Sequence, residues 1–180
     1  MRFRVIDTTW RKATGPLLSE LRGRMFHVTS PDGFVGVCSE GAILCNSDNR
    51  FKSNWTENYY FKNQGCLSIV DLVNNTRPKV TRRKLINDYA VFEQASPVVV
   101  FLFLSPSVYP RVVHWTKYKK DRAYGQQIVP ELESGVPTRV SISEIDEAWF
   151  ITLRDRVVLS SELNALYERM LQSPHPTPTR

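Results

Sequence analysis

Three short patches of this sequence carry residue types able to act together in chemistry. Phe26-His27-Val28-Thr29-Ser30 joins an imidazole to two hydroxyls. Tyr59-Tyr60-Phe61 runs toward an apolar segment that holds Ser68. Glu131-Leu132-Glu133 sets two carboxylates two positions apart, which an extended chain presents on one face. A carboxylate can steady a developing positive charge, and a second can take a proton from an acceptor. Each patch also has a structural reading. His27 suits a packed histidine between Phe26 and Val28, and the aromatic run suits cover beneath a loop. Ser30 is a helix N-cap with or without a ligand, and Pro130 and Gly135 suggest a polar loop around the two glutamates.

Other chemistries lack their signatures. There is no GxxxxGK[ST] loop, no GxGxxG turn, no GxSxG elbow and no HExxH helix. Cys38, Cys45 and Cys66 form no CxxC pair, and His27 is the one histidine near them in sequence, so no metal is expected. An odd cysteine count with no apolar leader in MRFRVIDTTWRK points to free thiols and a cytoplasmic setting. The longest apolar run, Val98 to Leu104, fits a buried strand and is too short for a membrane span.

The net charge of +6 is unevenly spread. Arg77 to Lys84 holds five basic residues and no acid, among them Arg82, Arg83 and Lys84. Arg111 to Arg122 sets Lys117, Lys119 and Lys120 among Trp115 and Tyr118. Glu131 to Glu168 reverses the sign, with eight acids against three arginines. Basic runs with interleaved aromatics suit phosphate contacts and base stacking, so these six residues are candidates for binding DNA or RNA. A solvated surface is the alternative.

The elements that would position these residues follow from the pattern. A chain of 180 residues suits one domain, expected over residues 1–172, with a disordered Pro-rich tail at 173–180. Arg24 to Thr29 reads as a strand. Ser30-Pro31-Asp32 then starts a helix that Gly41 ends. Ala42 to Leu44 opens another strand, Asn46 to Asn63 reads as a long loop, and Cys66 to Val73 has strand character. Val98 to Leu104 is the strongest strand, and Ser105 to Arg122 is expected to hold a helix with Val112, Trp115 and Tyr118 on one side. Trp149 to Thr152 and Arg156 to Leu159 read as a hairpin, and Ser161 to Leu171 as a closing amphipathic helix. Strands outnumber helices without βαβ alternation, so the expected class is α+β with a largely antiparallel sheet.

With the elements in place, the order of the patches resembles the ADP-ribosyltransferase superfamily of the His-Tyr-Glu type. The closest likeness is to the DarT-like toxins that modify DNA. RMFHVTSPDGFVGVCSEGAIL has their opening shape of strand, His, hydroxyl residue, helix, Gly and apolar residues. Glu133, Val140 and Ile145 follow in the order of their catalytic end, and Glu131-Leu132-Glu133 gives the ExE pair of the arginine-modifying branch. The likeness covers roughly residues 24 to 153 in short patches. It implies a split sheet with flanking helices, NAD as co-substrate without metal, and Glu133 as the catalytic carboxylate with Glu131 addressing the acceptor. His27, Thr29, Ser30, Ser68 and either Tyr59 or Tyr60 would hold the cofactor. Arg24, Arg50 and Lys52 are candidates for a phosphate contact. The sequence around Glu133 departs from the DarT pattern, which leaves the acceptor open. A basic nucleic-acid- or protein-binding domain without turnover is the competing expectation.

Overall fold

The computed structural model describes residues 1–8, 19–48, 60–74, 98–123 and 132–153. The strands are β1 (Arg2–Thr8), β2 (Met25–Thr29), β3 (Ala42–Ile43), β4 (Cys66–Asp71), β5 (Val98–Leu104), β6 (Glu133–Pro137), β7 (Val140–Ser141) and β8 (Ile145–Leu153). The helices are α1 (Pro31–Glu40), α2 (Tyr60–Asn63) and α3 (Lys117–Lys120). Six strands form one sheet in the order β1-β8-β5-β2-β4-β6, and β3 pairs with β7 apart from it. All pairs in the main sheet are antiparallel except β1 with β8. The expected mixed class with a mostly antiparallel sheet is therefore what the chain adopts.

The sheet is apolar on both faces. Phe26, Val70, Phe101, Phe103 and Trp149 pack with Leu21 on one face. Ile69, Val100, Leu102, Ala148 and Phe150 pack with Phe34 and Val37 of α1 on the other. The continuous apolar run Val98–Leu104 fits this arrangement, because a strand covered on both faces needs no polar alternation. Helix α1 forms where its punctuation places it. Ser30 Oγ accepts from Gly33 N–H, Pro31 stands in the first turn, and Gly41 ends the helix at φ 65°.

Four elements differ from expectation. Tyr60–Asn63 is the short helix α2, within the segment expected to be a long loop. Arg2–Thr8 is a full strand, running parallel to β8 along its whole length. Ser105 to Arg122 holds no continuous helix but a 3-10 turn at Pro106–Arg111 and the single turn α3. Pro110 has no N–H to give an α-helix, and the backbone of Val113 pairs with Gly135 of β6 instead. The expected polar loop around Glu133 is the start of β6, paired residue by residue with β4. The expected strand Arg156 to Leu159, the helix Ser161 to Leu171 and the tail lie outside the described residues.

Candidate functional site

The site is built where β2 and β4 part. Their paired register covers Met25 with Asp71 and Phe26 with Val70, and toward His27 it extends no further. The next residue of β2 is His27. Its Nδ1 lies 2.9 Å from the carbonyl oxygen of Ser68 on β4. A carbonyl only accepts, so Nδ1 carries the proton and the neutral ring presents Nε2 as an acceptor. Burial pushes the His27 pKa below its ordinary value, against the smaller opposing effect of the Ser68 bond.

Ser68 turns its side chain to the other partner. Its hydroxyl donates a 2.6 Å hydrogen bond to Glu133 Oε1. The register explains the reach. Val70 is opposite Glu133 and Ser68 opposite Gly135, so the hydroxyl crosses diagonally over a residue with no side chain. Phe61 occupies that space: a Cβ at Gly135 would stand 2.3 Å from Phe61 Cδ1 and 2.9 Å from Cys66 Cβ. The glycine that suggested a loop is there because a ring packs over it.

The polar pair sits on a seam. On one side lies the cluster with Phe26 and Val70, on the other Phe61, Cys66, Tyr60 and Tyr118. Glu133 is 0% exposed, a fully buried carboxylate rather than the surface acid of a loop. Alternation places Glu133 on the face of Phe26 and Val70, while His27 takes the phase of Met25, toward α1. The two side chains therefore do not meet in one cleft, which departs from the site expected of them; each reaches Ser68 separately, His27 at its carbonyl and Glu133 at its hydroxyl.

The remaining candidates divide. Thr29 packs its hydroxyl against Gly33, where an added Cβ would meet Oγ1 at 2.0 Å. Ser30 is engaged as the α1 cap, its structural reading. Tyr60 is 3% exposed, edge-on to Phe61, and its phenol donates to Asp121. Burial raises its pKa, so this phenol remains a donor. That geometry is the core-cover role and leaves no open ring face for stacking a cofactor. Arg24 is held by Glu147 at 2.7 Å and lies over Phe103. Tyr59, Glu131, Arg50, Lys52, Arg82, Arg83 and Lys84 lie outside the described residues.

In the basic segment, Lys117 Nζ bonds Asp121 Oδ2 at 2.8 Å, Lys119 Nζ lies 4.6 Å from the centre of the Trp115 ring, and Lys120 is exposed. This segment is fastened to the site. Val113 exchanges backbone hydrogen bonds with Gly135 at 2.7 and 3.0 Å. Trp115 N–H donates to Ser134 Oγ at 3.1 Å, and Ser134 donates in turn to the buried Asp71 at 3.3 Å. The sequence singled out Trp115 for base stacking. It gave no sign that an antiparallel bridge at Val113 would bring this segment against Ser134 and Gly135.

No family model, no curated protein and no solved structure matches the chain.

Proposed function

We propose that the chain transfers ADP-ribose from NAD to an acceptor, with Glu133 as the catalytic carboxylate. The observation that carries this reading is the buried Glu133 carboxylate, held by the Ser68 hydroxyl beside the point where β2 and β4 part. A carboxylate directed in this way suits a ribose hydroxyl and the positive charge that forms when the bond between ribose C1′ and nicotinamide breaks. His27 lies on the opposite face of the sheet and does not share a cleft with Glu133. Nicotinamide leaves with the bonding electrons, the acceptor nucleophile bonds to C1′, and its proton passes to a base, for which Glu131 is the candidate. The Ser68 hydrogen bond fixes the direction of the Glu133 carboxylate. Because Glu133 is 0% exposed, the side chains packed over it must yield when substrate enters.

Nicotinamide release and acceptor labelling test the reading in wild type, Glu133→Gln and Glu131→Gln. Loss of both activities in Glu133→Gln, with transfer impaired more than NAD hydrolysis in Glu131→Gln, is the expected result. Full activity in Glu133→Gln rules the mechanism out.

A second reading, a nucleic-acid-binding domain without turnover, draws on Lys119 and exposed Lys120 beside Trp115. Affinity for single-stranded DNA or RNA that falls steeply with salt, and falls further in Lys119→Glu/Lys120→Glu, would favour it if no nicotinamide is released.

A further inference from the structure

We propose that Cys45 and Cys66 are a redox pair that closes into a disulfide, stapling the chain after β3 to the start of β4. The Cys45 thiol donates to the Cys66 backbone carbonyl at 3.1 Å. Its sulfur therefore already touches the residue it would bond, 21 positions away in sequence. The Cys66 sulfur lies 3.7 Å from the Gln64 carbonyl oxygen, a weak contact that a turn of the side chain gives up. The two thiols are close enough for Cys45 to act electrostatically on Cys66, adding to the burial that pushes the Cys66 thiol up. The third cysteine, Cys38, is exposed on α1 and serves as an internal control.

Burial divides the chemistry between the two thiols. Cys45 is half-buried and open to an oxidant, whereas Cys66 is buried. With oxidised glutathione as the oxidant, the Cys45 thiol gives up its proton and the thiolate attacks one sulfur of the glutathione disulfide. One glutathione thiolate leaves, and a mixed disulfide remains on Cys45. The Cys66 thiol then gives up its proton, and its thiolate attacks the Cys45 sulfur. The second glutathione leaves with the bonding electrons. The two glutathione thiolates take the two protons, so one disulfide is reduced as the other forms. Lys117 favours the Cys66 thiolate at this step through its positive charge.

The bridge acts on the candidate site through β4. Cys66 and Ser68 stand two apart on that strand and share its face. A Cβ at Gly135 would stand 2.9 Å from the Cys66 Cβ, so Cys66 packs directly against the strand that carries Glu133. The pairing itself does not depend on the transferase reading.

The test uses the full chain, reduced and then equilibrated in glutathione buffers from reducing to oxidising, for wild type, Cys38→Ser, Cys45→Ser and Cys66→Ala. Mass spectrometry of the unreduced chain and its peptides identifies the bridge. Wild type and Cys38→Ser should each lose two hydrogens and yield a linked peptide pair that holds Cys45 and Cys66. Cys45→Ser and Cys66→Ala should form no internal bridge. If Cys66→Ala fails to fold, Cys45→Ser, altered at the half-buried position, carries the comparison. Closing this loop should raise the urea midpoint by about 1–2 M over the reduced chain, a difference that Cys45→Ser should lack. Cys45 and Cys66 left as thiols, or held as glutathione adducts, in the most oxidising buffer overturn the proposal. So does a bridge that uses Cys38, links two chains, or forms only after unfolding in urea. A bridged chain with the midpoint of the reduced one overturns the staple.

Discussion

Ser68 holds Glu133 from the neighbouring strand, its hydroxyl donating a 2.6 Å hydrogen bond to Oε1 across the side chain that Gly135 lacks. A carboxylate that is 0% exposed needs such a partner, because an unmet buried acceptor carries its full desolvation cost. The same serine accepts from His27 through its carbonyl, so one residue orients two groups of the candidate site.

Ser68→Ala should therefore cost stability and turnover together. The expected loss is about 1–3 kcal/mol of folding free energy, from removing a buried hydrogen bond to a carboxylate. Turnover should fall by about tenfold to a hundredfold in kcat with little change in KM, since the serine directs the carboxylate and leaves NAD affinity to other groups. Ser68→Thr restores the hydroxyl and should recover much of kcat. Denaturant unfolding and nicotinamide release measure the two effects. A kcat in Ser68→Ala equal to wild type would show that the bond serves the fold alone.

Glu133→Gln should separate activity from stability. The amide still accepts from Ser68 but carries no charge, so about 2–4 kcal/mol of transition-state stabilisation should disappear. Burial of a neutral amide avoids desolvating a carboxylate, so the melting temperature should hold or rise. Thermal unfolding alongside nicotinamide release checks both. A marked fall in melting temperature together with full activity would place Glu133 in the scaffold and outside the chemistry.

The contrast between helix α1 and the start of β6 shows what the sequence made legible. Ser30, Pro31 and Gly41 act through local backbone geometry, so their types announce the helix ends directly. Val98–Leu104 announces a covered strand in the same way. Gly135 acts through a contact with Phe61, far away in sequence, and was indistinguishable from a turn glycine. Strand β1 hid for a related reason. Phe3 and Val5 alternate with Arg2 and Arg4, but the partner that makes them a strand is β8, at the opposite end of the described chain. Glu133 was thus singled out as a candidate by type and order, while its burial and its serine depended on strand pairing over more than sixty positions.

Gly135→Ala tests that long-range contact. The new methyl would stand 2.3 Å from Phe61 Cδ1, with the Cys66 Cβ at 2.9 Å, so either the ring or the strand must shift. Overpacking of this kind costs about 1–3 kcal/mol. Phe61→Leu in the same chain should return part of that loss by making room. A double-mutant cycle from chemical denaturation reads the coupling, and strict additivity of the two substitutions would contradict the packing described.

His27 should make stability depend on pH in a defined window. Burial holds its folded pKa below the unfolded value of about 6.5. Between the folded and unfolded values the unfolded chain binds the extra proton, so stability falls as pH falls below about 6.5 and levels off above it. The slope for one group cannot exceed about 1.4 kcal/mol per pH unit. Glu20, Asp121, Glu144 and Glu147 are all held below the ordinary carboxylate range, so their losses begin at lower pH than that of His27. His27→Asn keeps an N–H able to donate to the Ser68 carbonyl but does not titrate. His114 and His175 remain in both proteins, so the difference between their curves isolates His27. Chemical denaturation of both from pH 5 to 7.5 should show a stability rise in wild type that is reduced in His27→Asn. Parallel curves across that range would mean that His27 titrates alike in the folded and unfolded chain, and the neutral acceptor assigned to its Nε2 would have to be given up.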